Sequence, residues 1–373
     1  MKLKSRILYI FLLLAGFFGF AVWCVFSAIT IFSAVPWYVF VPLFISGLAF
    51  TVYAGIVLHE AGHLVFGLFA GMKFKELRIP FFIIRSSNGR IKVFFNVKNS
   101  FLGSCEMYPS GSGIPYPKAF AWEAFGGLAG SFTALSVSVL FLILTPFISA
   151  YPVILFGFAA PFLYVILLEN AFPAEVNGAR TDGGQLLEIL RKTPSSQVLV
   201  SVLTAQACYR AGKAPSELPY ELLFNVPQIP ENDSNYALLL NNRYLYALDC
   251  GDISALKDAH LRIRDVLPNL PEVYAEQLIC DIFFDSLFTF PDDEFVKVNK
   301  NAVFKTLDAD DDVNSCRIRG YYYLRAGDTA KAFAEIEKGR SLARIYPMPG
   351  IAKMELRLIS ELESKIALIA LRP

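Results

Sequence analysis

Two long stretches of this chain contain no Asp, Glu, Lys or Arg at all: residues 7–58 and residues 124–168. Only 18% of the 373 residues are charged and 55% are hydrophobic, whereas a soluble domain carries about 25% charged residues. Much of the chain is therefore not solvated by water. Net charge is also missing, at +1, which removes the basic surplus expected of a nucleic-acid binder. Histidine is scarce, with three in the whole chain. The six cysteines (Cys24, Cys105, Cys208, Cys250, Cys280, Cys316) are scattered without a CxxC pair. That pattern favours buried free thiols over a thiolate metal site and implies no structural disulfide.

What is present is apolar sequence in lengths that suit a bilayer. About 20 apolar residues cross the hydrocarbon as a helix, and four such spans are expected near residues 7–32, 38–70, 120–148 and 152–172. Lys2, Lys4 and Arg6 precede the first run as in a signal peptide, but the run continues unbroken to Phe32. A signal peptide's apolar core is only about 7–15 residues, so this is read as an uncleaved first span. Trp37 and Tyr38, beside Pro36, suit a turn at headgroup depth. From about residue 190 the composition becomes that of an ordinary globular domain, which gives two domains, 1–190 and 191–373.

Basic residues set the orientation. Eight Lys or Arg (Lys73, Lys75, Arg78, Arg85, Arg90, Lys92, Lys98, Lys118) lie between Gly71 and Lys118, against Glu76 and Glu106. The opposite loops are uncharged. The positive-inside rule then places both termini and the 71–118 segment in the cytoplasm, and the implied location is a bacterial cell membrane. Within that segment the runs Phe74–Ile84 and Arg90–Val97 flank Ser87-Asn88-Gly89, a hairpin signal. Their Phe and Ile content favours a hairpin lying against the membrane or the active-site mouth.

The second span carries His59-Glu60-Ala61-Gly62-His63. On a helix, positions i and i+4 share a face, so both imidazoles can hold one cation. Glu60, beside them, can act as general base on a water made acidic by zinc. Ala61 and Gly62 are small and leave room beside the metal. Ionisable groups inside a membrane are costly and mark function. A catalytic zinc needs a third protein ligand and an open position. His260 lies far off and reads as a surface or partly buried helix residue. The third ligand is expected to be a carboxylate near the membrane: Asp182 first, with Glu169 and Glu175 as rivals. Asp182 could equally serve as an ordinary N-cap of the helix that follows it.

These motifs resemble the site-2 protease family of intramembrane zinc metalloproteases. His59, Glu60 and His63 match its HExxH. Asn170-Ala171-Phe172-Pro173 with Asp182-Gly183 resembles its second motif, an Asn-x-x-Pro followed by Asp-Gly, although the interval here is longer and contains Glu175 and Arg180. The resemblance implies a mainly α, polytopic membrane bundle, with His59, His63 and Asp182 as Zn2+ ligands and Glu60 as catalytic base. It also implies that Asn170, Pro173 and Gly183 lie near the reaction centre. Gly126-Gly127-Leu128-Ala129-Gly130 is similar to the family's glycine-bearing middle helix, and a small-xxx-small pair there allows close packing.

The implied activity is an endopeptidase cutting a membrane protein or peptide at or inside the bilayer. A substrate strand could add to an edge of the 74–97 hairpin. The alternative is an inactive relative acting as a membrane scaffold or peptide-export accessory. In the C-terminal domain, Tyr244–Asp252 and Tyr321–Asp328 resemble each other, each with a Gly-Asp before an Ala-bearing helix, and Tyr209–Gly212 opens a similar turn. This looks tetratricopeptide-like and suggests a domain that binds a protein partner or gates access, the alternative being a packed helical appendage without a partner. The acidic run Asp308–Asp312 reads as a solvated loop.

Overall fold

The structure is a computed structural model that describes residues 3–87, 90–96, 103–109, 116–176, 179–270 and 272–370. It is mostly helical with a small antiparallel sheet, and it divides into two compact units, Met1–Arg191 and Lys192–Pro373.

In the first unit, α1 (Leu3–Phe32), α2 (Trp37–Phe69), α3 (Tyr116–Ile143) and α4 (Ala150–Ala171) are long and apolar enough to cross a membrane. Their outward faces carry large apolar side chains, among them Phe11, Phe26, Phe50 and Phe132. Water would penalise such a surface at about 25 cal/mol per Å2, and lipid does not. Phe40, Leu135, Leu142, Ile154 and Leu163 pack between the helices. The third helix starts at Tyr116 and stops at Ile143, earlier at both ends than the hydropathy suggested. α4 contains a π-helical stretch, Val153–Gly157. Thr51 Oγ1 donates to the Leu155 carbonyl at 2.8 Å, and Ser138 Oγ reaches the carbonyls of Phe156 and Gly157. Irregular backbone survives at this depth because neighbouring hydroxyls satisfy it.

The segment after α2 is a four-stranded sheet rather than one hairpin. β1 (Met72–Ile79), β2 (Phe81–Ser87), β3 (Arg90–Asn96) and β4 (Ser104–Pro109) lie in the order β3-β2-β1-β4. The run 74–84, taken as a single strand in sequence, breaks at Pro80 and folds back with Ile79 opposite Phe82. Proline suits the first corner of a type II turn, and Phe81 takes the positive φ (73°) that the second corner requires. Asn88 and Gly89 of the expected hairpin turn lie outside the described residues, as does Lys98; Ser87 pairs with Arg90 on either side of that turn. Glu76, buried in β1, bonds Arg78 at 2.5 Å and also Arg85 on β2. Burial opposes its ionisation, but the two guanidiniums hold its carboxyl below the ordinary range. β4 and β3 are the edges, so the edge beside β1 belongs to a strand outside the 74–97 region.

Between α4 and α5 (Asp182–Arg191) lies a short ladder, β5 (Glu175–Val176) with β6 (Ala179–Arg180). It accounts for the long interval between Asn170 and Asp182.

The second unit is all helix: α6 (Pro194–Arg210), α7 (Tyr220–Phe224), α8 (Ser234–Cys250), α9 (Ile253–Val266), α10 (Glu272–Phe288), α11 (Asp293–Asp310), α12 (Val313–Arg325), α13 (Thr329–Ala343) and α14 (Pro349–Ala370). Its core includes Tyr244, Phe283, Ile318 and Leu362. The two Gly-Asp turns are built alike. Gly251 and Gly327 adopt positive φ after α8 and α12, and Asp252 and Asp328 then cap α9 and α13 by accepting from the backbone N–H three residues on. The acidic run is not a solvated loop. Asp308–Asp310 close α11, Asp312 caps α12, and Asp308 and Asp311 bond Arg319. His260 is not at the surface either: it is 3% exposed, with Nδ1 3.1 Å from Asp285 and its ring against Phe290. All six cysteines are free; three are buried, Cys105 and Cys208 are half-buried, and Cys250 is exposed.

Candidate metal centre

His59 and His63 lie one turn apart on α2, both buried. Their rings project into a gap closed on the far side by Asp182, the first residue of α5. The Nε2 atoms of the two histidines are 3.2 Å apart, and Asp182 Oδ2 is 3.3 Å from one and 3.4 Å from the other. Tetrahedral zinc, with bonds of ~2.0–2.1 Å, has ligand–ligand edges of about 3.3–3.4 Å. The three donors form one face of such a tetrahedron. Asp182 Oδ2 is buried and has no hydrogen-bond partner, which is how an atom waiting for a cation should look. The residues present therefore fit a divalent metal ion, and among the described residues this is the single group of three metal-binding side chains with donor atoms within 4.8 Å of one another.

Each outer nitrogen has a partner. His63 Nδ1 donates to the Glu123 carbonyl at 2.8 Å, and His59 Nδ1 meets Ser131 Oγ at 2.8 Å. A proton held on Nδ1 leaves the Nε2 lone pair facing the gap. Both partners sit on α3, and so does Gly127, where a Cβ would come within 2.6 Å of Asp182 Oδ2 and would also meet His63 Nε2. Glu123, Gly127 and Ser131 are spaced by four and so make one stripe of that helix. Sequence reasoning missed the stripe, although the spacing was there to be read.

Gly62 does not leave room at the metal. A Cβ there would meet the backbone of Gly126, and one on Gly130 would lie 2.9 Å from His59 Cα. These glycines bring α2 and α3 into backbone contact.

Asp182 does not cap α5. Thr181 Oγ1 takes that part, accepting from Gly184 N at 3.2 Å while donating to the Phe172 carbonyl at 2.7 Å. The carboxylate is thereby free to face the histidines. Gly183 lies against the end of α4, where a Cβ would be 3.0 Å from Ala171 Cα. Asn170 donates to the Ile166 carbonyl of its own helix at 2.9 Å, and Pro173 lines a small cleft with Arg180 and Leu187; neither joins the three donors. Glu169 is exposed. Glu175 lies in β5.

Glu60 is buried, and its Oε2 has no hydrogen-bond partner. Its carboxyl group lies against Gly103, immediately before β4, where a Cβ would be 2.8 Å from Glu60 Cδ. Further along the strand, Met107 packs against Gly67. β4 therefore runs beside the metal-bearing part of α2. Protein-family models, curated proteins and solved structures were each compared with this chain, and none matches.

Proposed function

We propose that this chain is a zinc-dependent intramembrane endopeptidase of the site-2 protease type. One observation carries the proposal. An HExxH pair on an apolar helix and a carboxylate from a distant helix share one ligand triangle, with an unpartnered glutamate next to it. His59, His63 and Asp182 would hold the ion, whose chemistry when bound is Lewis acidity that lowers the pKa of water towards ~7 and polarises a carbonyl. The Glu123 carbonyl, which can only accept, holds His63 in the ligating tautomer, and Ser131 holds the His59 ring in place. Glu60 takes the proton of the attacking water and returns it to the leaving amine nitrogen. Gly127 keeps the space over the donors clear.

A helical substrate hides its amides in its own hydrogen bonds and must unwind to be cut. The strand β4, an edge of the sheet among the described residues and adjoining Glu60, is the place for the unwound segment to add as a strand. Consecutive proline substitutions along Ser104–Tyr108 should impair cleavage at alternate positions and leave zinc content intact. On this reading the sheet and both termini face the cytoplasm of a bacterial cell, in line with the basic residues of 71–118. The helix–Gly-Asp–helix pairs α8–α9 and α12–α13 are tetratricopeptide-like, and the second unit serves a protein partner.

The test is zinc content and cleavage of model transmembrane substrates by the wild type, Glu60→Gln and Asp182→Ala in membranes. Glu60→Gln should keep its zinc and lose cleavage by about 10²–10⁴-fold. Asp182→Ala should lose both. Equal function of the wild type and Glu60→Gln in cells would overturn the enzyme in favour of a scaffold.

A further inference from the structure

Two contacts align the sheet with α2. Glu60 lies against Gly103, immediately before β4, and Gly67 lies against Met107, so β4 runs beside α2 in the same direction. Cross-strand register carries these levels outward. Arg78 pairs with Ser104, and the next row, Ile79, Phe82 and Phe95, falls at the level of Gly103 and Glu60. Arg85 and Lys92 pair nearer the Gly67 end, about 10 Å farther along the strands. The β2–β3 ribbon therefore has a direction, with phenylalanines level with Glu60 and basic residues towards the end of α2.

Cover ends at this ribbon. Leu77 and Ile79 on β1 are buried. On the same face, Ile91, Val93 and Phe95 are 68%, 62% and 70% exposed, and Phe82 is exposed too. At the phenylalanine end the opposite face is apolar as well, with Phe81, Ile83 and Phe94; farther along it carries Lys92 and Arg85, the latter over the Phe94 ring. Phe81 is a second sign. It holds φ at 73° at a corner where glycine would be unstrained, and its ring is exposed. The turn gains nothing from a bulky residue, so the ring serves a contact outside the sheet. Contiguous exposed apolar surface of this kind marks an interaction site.

Lipid is the occupant that fits. α2 is long and apolar enough to cross a membrane, and its first residues, Trp37 and Tyr38, are exposed aromatics suited to headgroup depth. From Trp37 to Glu60 a helix rises about 34 Å, or about 32 Å at an average tilt of ~20°. The hydrocarbon is about 30 Å thick. Glu60 and the phenylalanine row then stand at its opposite boundary, with Arg85 and Lys92 beyond it. The sheet edge agrees. β3 is an edge among the described residues, and the backbone N–H and C=O groups of an edge need water or headgroups, which places the ribbon at the boundary and not in the hydrocarbon.

We propose that the β2–β3 ribbon is a lipid-contacting wing at the bilayer boundary, with Phe81, Phe82 and Phe95 in the uppermost acyl layer and Arg85 and Lys92 at the headgroup phosphates. Because β4 belongs to the same sheet, this contact also holds β4 at the level of Glu60. The wing does not depend on the reaction that the metal centre serves.

To test it, the full chain carries one added indole, Phe95→Trp or Ile91→Trp, and sits one copy per nanodisc in phosphatidylcholine with phosphatidylglycerol. Emission above that of the wild type, whose Trp23, Trp37 and Trp122 form the background, is read with brominated acyl chains and with acrylamide in the water. The Phe95→Trp indole should lose emission to brominated chains and resist acrylamide. The Ile91→Trp indole, farther out along β3, should lose less to bromine and more to acrylamide. Should Phe95→Trp unfold, Phe82→Trp, at the cross-strand position, takes its place. Acrylamide quenching of both indoles without bromine quenching overturns the lipid contact. Quenching by neither reagent means that protein covers the patch, and equal bromine quenching at both positions contradicts the depth order; either result overturns the wing.

Discussion

The first unit brings Asp182 to His59 and His63, and the second brings Asp285 to His260. In the second unit the arrangement closes on itself. His260 Nδ1 faces Asp285 Oδ2, Tyr244 donates to the other carboxylate oxygen at 3.1 Å, and Phe290 covers the ring. In the first unit, Ser131 and the Glu123 carbonyl hold the outer nitrogens while both inner nitrogens and Asp182 Oδ2 face one another across a gap. The difference lies in which atoms are left over. A histidine–aspartate pair alone indicates nothing; two lone pairs and an unpartnered oxygen converging on one point indicate a cation.

The largest expected effect separates the two aspartates. Asp182→Ala should take bound metal from about one ion per chain to background, while Asp285→Ala should leave metal content unchanged. Metal lost from both would break the comparison. Next is Ser131→Ala, which frees His59 Nδ1 and should weaken metal affinity about 10–100-fold, as read by competition with a chromophoric chelator. An unchanged affinity would mean that Ser131 does not orient the ring. Asp285→Ala should then show its own signature, a lower thermal midpoint, because Tyr244 and His260 each lose a buried partner at about 1–3 kcal/mol.

The smallest effect has the opposite sign. Burial pushes Asp281 up to about 7, against the pull of Arg317. Its folded-state pKa therefore exceeds the unfolded value of ~3.9, the native state binds more protons, and stability falls as pH rises from about 4 to about 7. Asp281→Asn should melt slightly higher than wild type at pH 8 and no higher at pH 4. A lower midpoint at pH 8 would show that the ionised Asp281 stabilises the fold.

Long elements were legible in the sequence because lipid demands unbroken apolar runs, and the HExxH spacing carries its helical geometry with it. Shorter features were not. Pro80 sits in a run whose flanks are both strand-like, so the turn was hidden. β4, Ser-Cys-Glu-Met-Tyr-Pro, alternates too weakly to announce a strand. Thr181 and Asp182 are both good caps, and sequence cannot say which hydroxyl or carboxylate wins; in the structure Thr181 takes the cap. Gly127 reads in sequence as a packing residue because small residues in an apolar helix usually are, and no motif marks Ser131.

The glycine contact between α2 and α3 has a mechanical consequence. Gly62 is set against Gly126, and Gly130 against the backbone of Leu58 and His59, so backbone meets backbone in the middle of this seam. The two helices form a stiff plate on which the imidazoles and the groups that aim them are mounted together. Under the proposed function, a substrate would enter elsewhere in the unit, and a cross-link across the seam should leave cleavage unaltered.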